Sequence, residues 1–217
     1  QIVLQLRNLA SELDIPVIGI NSGKLGFLAT IAREEIPDAI ESLYYGRYSV
    51  EERSLLHIDS EETIFPDFNY ALNDMTIQKK DSQMITVHVY LNATYLNSYW
   101  ADGIIISTPT GSTGYSMSCG GPIVLPGSEN LIITPICPHN LTMRPLIIPD
   151  KSNIQIEIEG RTRNILISLD SRSESVPTST NLNIHKAGFK TQLVKFEHND
   201  YFNTLREKLN WGKDLRN

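Results

Sequence analysis

The sequence predicts an α/β segment, then a β-rich domain, then a C-terminal helix that packs back on the α/β segment. Three observations support this fold class. Apolar residues at helical spacing precede a short, wholly apolar strand near the start, apolar and polar residues alternate from about residue 48, and helical spacing returns at the end. We therefore expect one domain over 1–47, completed by 191–217, and a second over 48–190.

The first segment has the pattern of half a βαβ unit. Apolar spacing predicts an amphipathic helix over 2–13, and the run 15–20 predicts a strand buried on both faces. The first strand of such a unit would lie before Gln1. A second helix is predicted across 36–43, with Gly46 as the residue that ends it.

The middle of the chain reads as short antiparallel strands. Alternation places Ile85, Val87 and Val89 on one face, and the same pattern recurs at 154–158 and 182–184. Clusters of Asn, Gly, Ser and Pro separate these strands. Near the end, Phe202, Leu205 and Leu209 share one helical face before Trp211 and Gly212.

Composition excludes several classes of protein. A net charge of −6 over 217 residues argues against a general nucleic-acid binder. The longest apolar runs have five or six residues, far short of the ~20 needed to span a bilayer. The two cysteines lack CxxC spacing, which favours a reducing cytoplasm over a disulfide scaffold and predicts no metal ligands. The histidines are scattered at His57, His88, His139, His185 and His198.

A loop rich in Gly, Ser and Thr is the most informative segment. The strand Ile104–Ile106 runs directly into residues 107–121, where small and hydroxyl side chains dominate. Glycines permit close backbone approach and hydroxyls donate short hydrogen bonds, so the loop suits a phosphate, a ribose or an amide-bearing base. The alternative is a tight turn whose hydroxyls satisfy their own backbone. The density of small residues after an apolar strand favours binding.

Two catalytic motifs are excluded by spacing. The segment Gly19–Leu25 is one residue short of a P-loop and ends in Leu25, where a metal-binding Ser or Thr is required. The segment Gly111–Gly114 does not have the GxSxG order of a nucleophile elbow.

Three polar positions each allow a structural and a functional interpretation. Asn73 and Asp74 interrupt an apolar strand, which an edge or a turn explains about as well as a site does. Asp102 caps a turn or accepts hydrogen bonds from a ligand. Asp170 and Arg172 follow a strand, where such a pair is usually a weak surface ion pair.

Five segments, in order along nearly the whole chain, carry a family resemblance: they are Gly19–Leu28, Leu72–Asp74, Asp102–Pro122, Pro135–Leu146 and Tyr201–Trp211. Taken together, these segments resemble the bacterial NAD kinases. The resemblance implies a Rossmann-like N-terminal domain, of which this chain has a part, and a β-rich, sandwich-like C-terminal domain. It implies transfer of a phosphoryl group from ATP to the 2′-hydroxyl of the adenosine ribose of NAD, with Mg²⁺, in a cytoplasmic homodimer or homotetramer.

The resemblance also implies which residues contact the dinucleotide. Asn73 and Asp74 match the Asn-acidic pair, and Asp102 matches the residue that binds the nicotinamide-side amide or ribose. Arg172 stands where relatives often have Gln, and either meets a phosphate or pairs with Asp170. The full implied set is Asn73, Asp74, Asp102, Thr110, Thr113, Gly114, Tyr115, Ser116, Met117, Ser118 and Arg172.

One family segment is absent from the printed sequence. The resemblance implies a Gly-Gly-Asp-Gly-Thr segment whose aspartate is the general base, and we expect it before Gln1, since the chain does not begin with Met. Loss of a positioned base costs ~10²–10⁴ in rate, so we expect the chain alone to be nearly inactive. The alternatives are a non-catalytic dinucleotide-binding regulatory module and a lipid or sugar kinase of the same superfamily.

Overall fold

The structure is a computed structural model that describes residues 15–21, 27–29, 31–196 and 200–210. The helix predicted over 2–13 lies outside the described residues. The chain divides into two compact units, one formed by residues 53–190 and the other by 2–52 together with 191–217.

The larger unit is built on two six-stranded sheets. The first sheet has the strand order β2-β1-β12-β9-β4-β5, and the second has the order β11-β10-β3-β6-β7-β8. The strands are β1 (Ser49–Ser60), β2 (Tyr70–Ala71), β3 (Asp74–Lys79), β4 (Ile85–Leu91), β5 (Thr94–Ala101), β6 (Gly103–Ser107), β7 (Asn130–Ile136), β8 (Leu146–Pro149), β9 (Ile154–Gly160), β10 (Asn164–Leu169), β11 (Arg172–Pro177) and β12 (Leu182–Lys195).

Short helical elements connect or flank these strands. Two 3₁₀ turns, Arg33–Glu35 and Thr110–Thr113, precede helices α1 (Ile36–Tyr44) and α2 (Tyr115–Ser118). A third helix, α3, covers Tyr201–Leu209. No helix in the described parts of the chain combines the length and the apolar character needed to cross a membrane.

The two sheets share one apolar core, and the predicted alternation is confirmed. Val87 in β4 and Ile156 in β9 pack in the same cluster as Ile77 and Ile104 from the second sheet. Burying side chains of this size stabilises a fold by roughly 1.5–3 kcal/mol each. The inward positions of the alternating strands fill this core, and on the second sheet the outward side chains Ile105 and Ile132 are buried as well.

The smaller unit confirms one sequence prediction and corrects another. Helix α1 ends where predicted, with Gly46 at φ +67°, a left-handed conformation that glycine adopts without strain. The predicted strand over 15–20 forms single parallel bridges, from Val17 to Leu193 and from Ile20 to Ile31. The prediction that this strand is buried on both faces is wrong, because Ile20 is 45% exposed.

Helix α3 belongs to the same unit and is capped at its N-terminus. Asp200 accepts a hydrogen bond from the backbone N–H of Phe202 at 3.1 Å, which satisfies a donor that the helix itself cannot. The predicted apolar face is confirmed in part: Leu205 is buried, whereas Phe202 remains half exposed.

Candidate functional site

A carboxylate holds the short segment that joins β2 to β3. Asp170 follows β10 in a left-handed turn, and its side chain accepts the backbone N–H groups of Leu72, Asn73 and Asp74 at 2.9, 2.7 and 3.3 Å. Its own N–H donates to the carbonyl of Asp74 at 2.9 Å. The oxygens of Asp170 thus bind backbone donors, and its charge also interacts with that of Arg172.

The Gly-, Ser- and Thr-rich loop packs against the other side of this segment. Thr108 donates through its N–H to the carbonyl of Asn73 at 2.9 Å and through its hydroxyl to that of Leu72 at 2.5 Å. A Cβ on Gly111 would overlap the Asn73 carbonyl oxygen, so only glycine permits this approach. Asn73 and Asp74 are thus fixed between Asp170 and the loop.

Some hydroxyls of the loop serve the fold. Ser112 donates to the carbonyl of Pro109 at 2.7 Å and accepts from the N–H of Val124 at 3.0 Å. Ser116 is fully buried, with its hydroxyl 2.8 Å from that of Thr134. For these two serines the structural interpretation of a hydroxyl-rich turn applies.

The remaining predicted ligands of the loop lie closer to solvent. One of them, Gly114, lies next to Asp74. A Cβ on Gly114 would come 3.7 Å from an oxygen of the Asp74 carboxyl group. The exposed or half-exposed members of the set are Thr110, Thr113, Gly114, Tyr115, Met117 and Ser118.

Asp74 is an unusual carboxyl group. Its residue is 8% exposed, and burial, followed by the negative charge of Asp170, raises its pKa from 3.8 to about 7. A carboxyl group with such a pKa can accept hydrogen bonds when ionised or donate one when protonated, within the physiological range.

Asp102 lies at the other end of the β3–β6 strand pair. Asp74 pairs with Ser107, and Asp102 lies one residue beyond the Gln78–Gly103 pair, so the two acidic residues are separated by about five residues of strand, roughly 17 Å. The carboxylate of Asp102 forms an ion pair with Lys79 at 2.5 Å. The structure therefore places the two acids at opposite ends of the β3–β6 strand pair.

The hydroxyl of Tyr115 contacts β3 at Gln78, close to the end of the strand pair where Asp102 lies. Its hydroxyl accepts a hydrogen bond from the side-chain amide of Gln78 at 2.9 Å, next to the Lys79–Asp102 pair. The sequence carries no signal for this contact, because Gln78 and Tyr115 belong to segments 37 positions apart. The same holds for Lys79, which periodicity alone could not connect to Asp102.

Arg172 is engaged by the backbone rather than left free for a ligand. Its guanidinium donates to the carbonyls of Phe68 and Tyr70, the latter at 2.5 Å, and lies 5.3 Å from the centre of the Phe68 ring. Arg172 therefore supports the segment that leads into β2 and, beyond it, Asn73.

Comparisons with known proteins agree with the fold and the order of segments. Residues 72–196 match the family described as "ATP-NAD kinase C-terminal domain", and residues 3–48 match "ATP-NAD kinase N-terminal domain". The chain is 53% identical to the NAD kinase of Cytophaga hutchinsonii over 216 residues and 48% identical to that of Flavobacterium psychrophilum over 217 residues. Each alignment covers 99% of this chain and 74% of the relative.

Two solved structures have a similar fold. Yeast NADH kinase, crystallised with NADH, superposes with a TM-score of 0.85 at 27% identity; the match covers 93% of this chain and 62% of the yeast chain. An NAD kinase from Archaeoglobus fulgidus, in complex with ATP, gives 0.76 at 26% identity and covers 90% of this chain and 74% of that one. By sequence identity and coverage, the chain belongs to the NAD kinase family.

Proposed function

We propose that the protein phosphorylates the 2′-hydroxyl of the adenosine ribose of NAD with ATP and releases NADP and ADP. The observation that carries the proposal is the Asn73–Asp74 segment, fixed from one side by Asp170 and from the other by the loop that begins at Thr108. Membership of the NAD kinase family supports this choice of reaction.

Asp74 and its neighbours suit one half of a dinucleotide. A carboxyl group with a pKa of about 7 can exchange hydrogen bonds with the hydroxyls of a ribose in either protonation state. We propose that Asn73 and Asp74 bind the adenosine ribose, and that the exposed and half-exposed residues between Thr113 and Ser118 line the adenine and ribose, with Ser116 buried beneath them. Tyr115 offers an aromatic face for the base there.

Asp102 suits the other half. The distance of roughly 17 Å along the strands is of the order of a dinucleotide's extent, so we propose that one molecule of NAD contacts both acidic residues. We propose that Asp102, oriented by Lys79, accepts hydrogen bonds from the nicotinamide amide or its ribose. Arg172 donates to backbone carbonyls before β2, and we propose that it supports the fold there without contacting NAD.

The reaction exchanges one phosphorus–oxygen bond for another. The 2′-oxygen of NAD forms a bond to the γ-phosphorus of ATP, the bond from that phosphorus to the β–γ bridging oxygen breaks, and ADP leaves. The hydroxyl proton passes to a general base. The printed sequence contains no Gly-Gly-Asp-Gly-Thr segment, which the family resemblance implies as the source of that base.

The described residues do not form a resident magnesium site. Mg²⁺ prefers octahedral oxygen ligands, usually one or two carboxylates completed by phosphates and water. The Asp170 oxygens accept backbone N–H groups, and Asp74 is desolvated, so neither is arranged as a magnesium ligand. We propose that Mg²⁺ enters as part of the ATP complex and leaves with ADP.

The proposal is tested by product formation. The product of the complete gene is incubated with NAD, ATP and Mg²⁺ and assayed for NADP; the 217-residue chain is assayed beside it, and NADH and a lipid acceptor replace NAD in parallel. We expect NADP from the complete product and at least a hundredfold less from the chain alone. NAD binding without NADP would favour a regulatory module, and turnover of the lipid alone would favour a lipid kinase.

We further propose that the protein works in the cytoplasm as a homodimer or homotetramer, on the basis of the family resemblance. The mass in solution, measured by light scattering at several concentrations, tests the assembly. A monomer at the concentration that gives full activity would contradict it.

A further inference from the structure

Two histidines and an aspartate meet on the outer face of the first sheet, away from the site described above. His57 and Asp59 lie two residues apart on β1 and therefore share one face, while His185 comes from the neighbouring strand β12. Among the residues that the structure describes, they form a group of three with metal-binding atoms within 4.8 Å of one another.

The distances between the three atoms match those around a tetrahedral metal ion. His185 Nε2 lies 2.9 Å from Asp59 Oδ2 and 3.2 Å from His57 Nδ1, and the latter two atoms are 3.5 Å apart. Ligands held about 2.1 Å from a tetrahedral zinc ion lie roughly 3.4 Å from each other. We propose that His57, Asp59 and His185 bind one Zn²⁺ ion, with a fourth position left for water.

The proton arrangement at His185 favours this assignment. Its Nδ1 lies 2.9 Å from the carbonyl oxygen of Lys186, so the Nδ1–H donates there and, in the neutral ring, the Nε2 lone pair faces the cluster. Nε2 lies 2.9 Å from the Asp59 carboxylate, a contact that needs a cation between the two acceptors, either a proton or a metal ion. Metal-bound histidines commonly have such a carbonyl partner on their second ring nitrogen.

His57 needs one local adjustment. Coordination through Nδ1 requires a proton on Nε2, which lies 2.9 Å from the side-chain nitrogen of Asn69. A half-turn of the Asn69 amide would present its oxygen as the acceptor, at the loss of the hydrogen bond from that nitrogen to the Ile58 carbonyl. Asn69 therefore affects the metal affinity, and a carboxylate in its place would accept the Nε2 proton more strongly, at the same loss of the hydrogen bond to the Ile58 carbonyl.

The surroundings favour a cation and leave the cluster accessible. Asp59 also lines a pocket of about 440 Å³ that carries the carboxylates of Glu61 and Glu157 on its walls. The nearby cation, Lys186, is paired with Asp150 at 2.6 Å. The side chains of Asp59 and His185 are 49% and 36% exposed, so an ion can enter from solvent.

Sequence reasoning could not find this group. His57 and His185 are 128 positions apart, and metal motifs in sequences rely on short spacings. The sheet order alone makes the strands that carry them neighbours. A bound ion would link β1 to β12 and stabilise the first sheet.

The experiment measures zinc binding to the metal-free product of the complete gene, with neither ATP nor Mg²⁺ present. Calorimetric titration is expected to give one Zn²⁺ per chain, and the ion is expected to raise Tm because it binds only the folded state. Co²⁺ in the same site is expected to show the strong visible bands of tetrahedral coordination.

Matched variants locate the site. His185→Gln and His57→Gln are expected to weaken zinc binding about a hundredfold or more, whereas Asn69→Asp is expected to strengthen it roughly tenfold. His88→Gln is the control, because His88 lies on the same sheet face but bonds to Ser98 at 2.6 Å. Circular dichroism confirms that each variant folds. Absence of stoichiometric zinc binding, or equal weakening by His88→Gln, would overturn the proposal.

Discussion

The carboxylate of Asp170 accepts the backbone N–H of Asn73 at 2.7 Å, although 97 positions separate the two residues in the sequence. The same carboxylate accepts the N–H groups on either side of Asn73. Three donors directed at one side chain hold a segment that would otherwise be an irregular link between two strands. The charge of Asp170 in turn raises the pKa of the neighbouring Asp74.

Replacement of Asp170 by asparagine is expected to loosen this segment. The amide has one oxygen to accept with and no charge, so hydrogen bonds to it are weaker, and we expect a loss of roughly 1.5–3 kcal/mol in the free energy of unfolding. NAD affinity should fall at least tenfold in the variant, measured by calorimetry below its Tm. Asp67→Asn, at an exposed position, is the control. Wild-type affinity in Asp170→Asn would contradict a positioning role.

Gly111→Ala tests the contact between the loop and Asn73. Its Cβ would overlap the Asn73 carbonyl oxygen, and a backbone atom cannot move aside as a flexible side chain can. We expect a loss of about 1–3 kcal/mol in the free energy of unfolding, together with weaker NAD binding. Gly188→Ala is the matched control, because a Cβ there meets nothing within 4 Å. Equal stability of the two variants in urea would argue against the close approach.

Asp74→Asn tests the electrostatics of the site through pH. The pKa of Asp74 is about 7 in the folded chain and 3.8 without the fold, so the folded state binds more protons between these values. The folded state therefore loses stability as pH rises through this window, by at most roughly 4 kcal/mol. Asparagine cannot ionise, so the variant does not lose stability in this pH window through residue 74. The Tm of Asp74→Asn should exceed that of the wild type at pH 8 and approach it at pH 4, whereas a constant difference would contradict the raised pKa.

The sequence was sufficient for the sandwich because alternation records which side chains face the core. Ile85, Val87 and Val89 are buried as their spacing predicts, and the strand through Ile104–Ile106 ends in the expected loop. These features depend on neighbours along the chain. The strand predicted over 15–20 is less buried than expected. An apolar run indicates that a strand can form there, but it does not indicate whether neighbouring strands cover that strand.

The candidate site was harder to predict because its supports come from distant segments. The sequence indicated Asn73 and Asp74 as polar interruptions, yet nothing near them in the chain points to Asp170 as their acceptor. Composition likewise indicated that the loop binds a ligand. It could not show that Ser116 is buried and bonded to Thr134 while its neighbours are exposed. Pairing across a sheet decides such contacts, and pairing is not encoded in local spacing.

Arg172→Lys separates support of the backbone from phosphate binding. The planar guanidinium donates to two carbonyls at once and lies over the Phe68 ring, whereas a lysine ammonium is a single charge without that geometry. We expect the variant to lose about 1–2 kcal/mol in the free energy of unfolding, measured in urea, because one carbonyl loses its donor. Affinity for NAD and ATP should change less than threefold below the Tm. Arg161→Lys, at an exposed position, is the control and should match the wild type. Normal stability with a large loss of ATP or NAD affinity would instead make Arg172 a phosphate ligand.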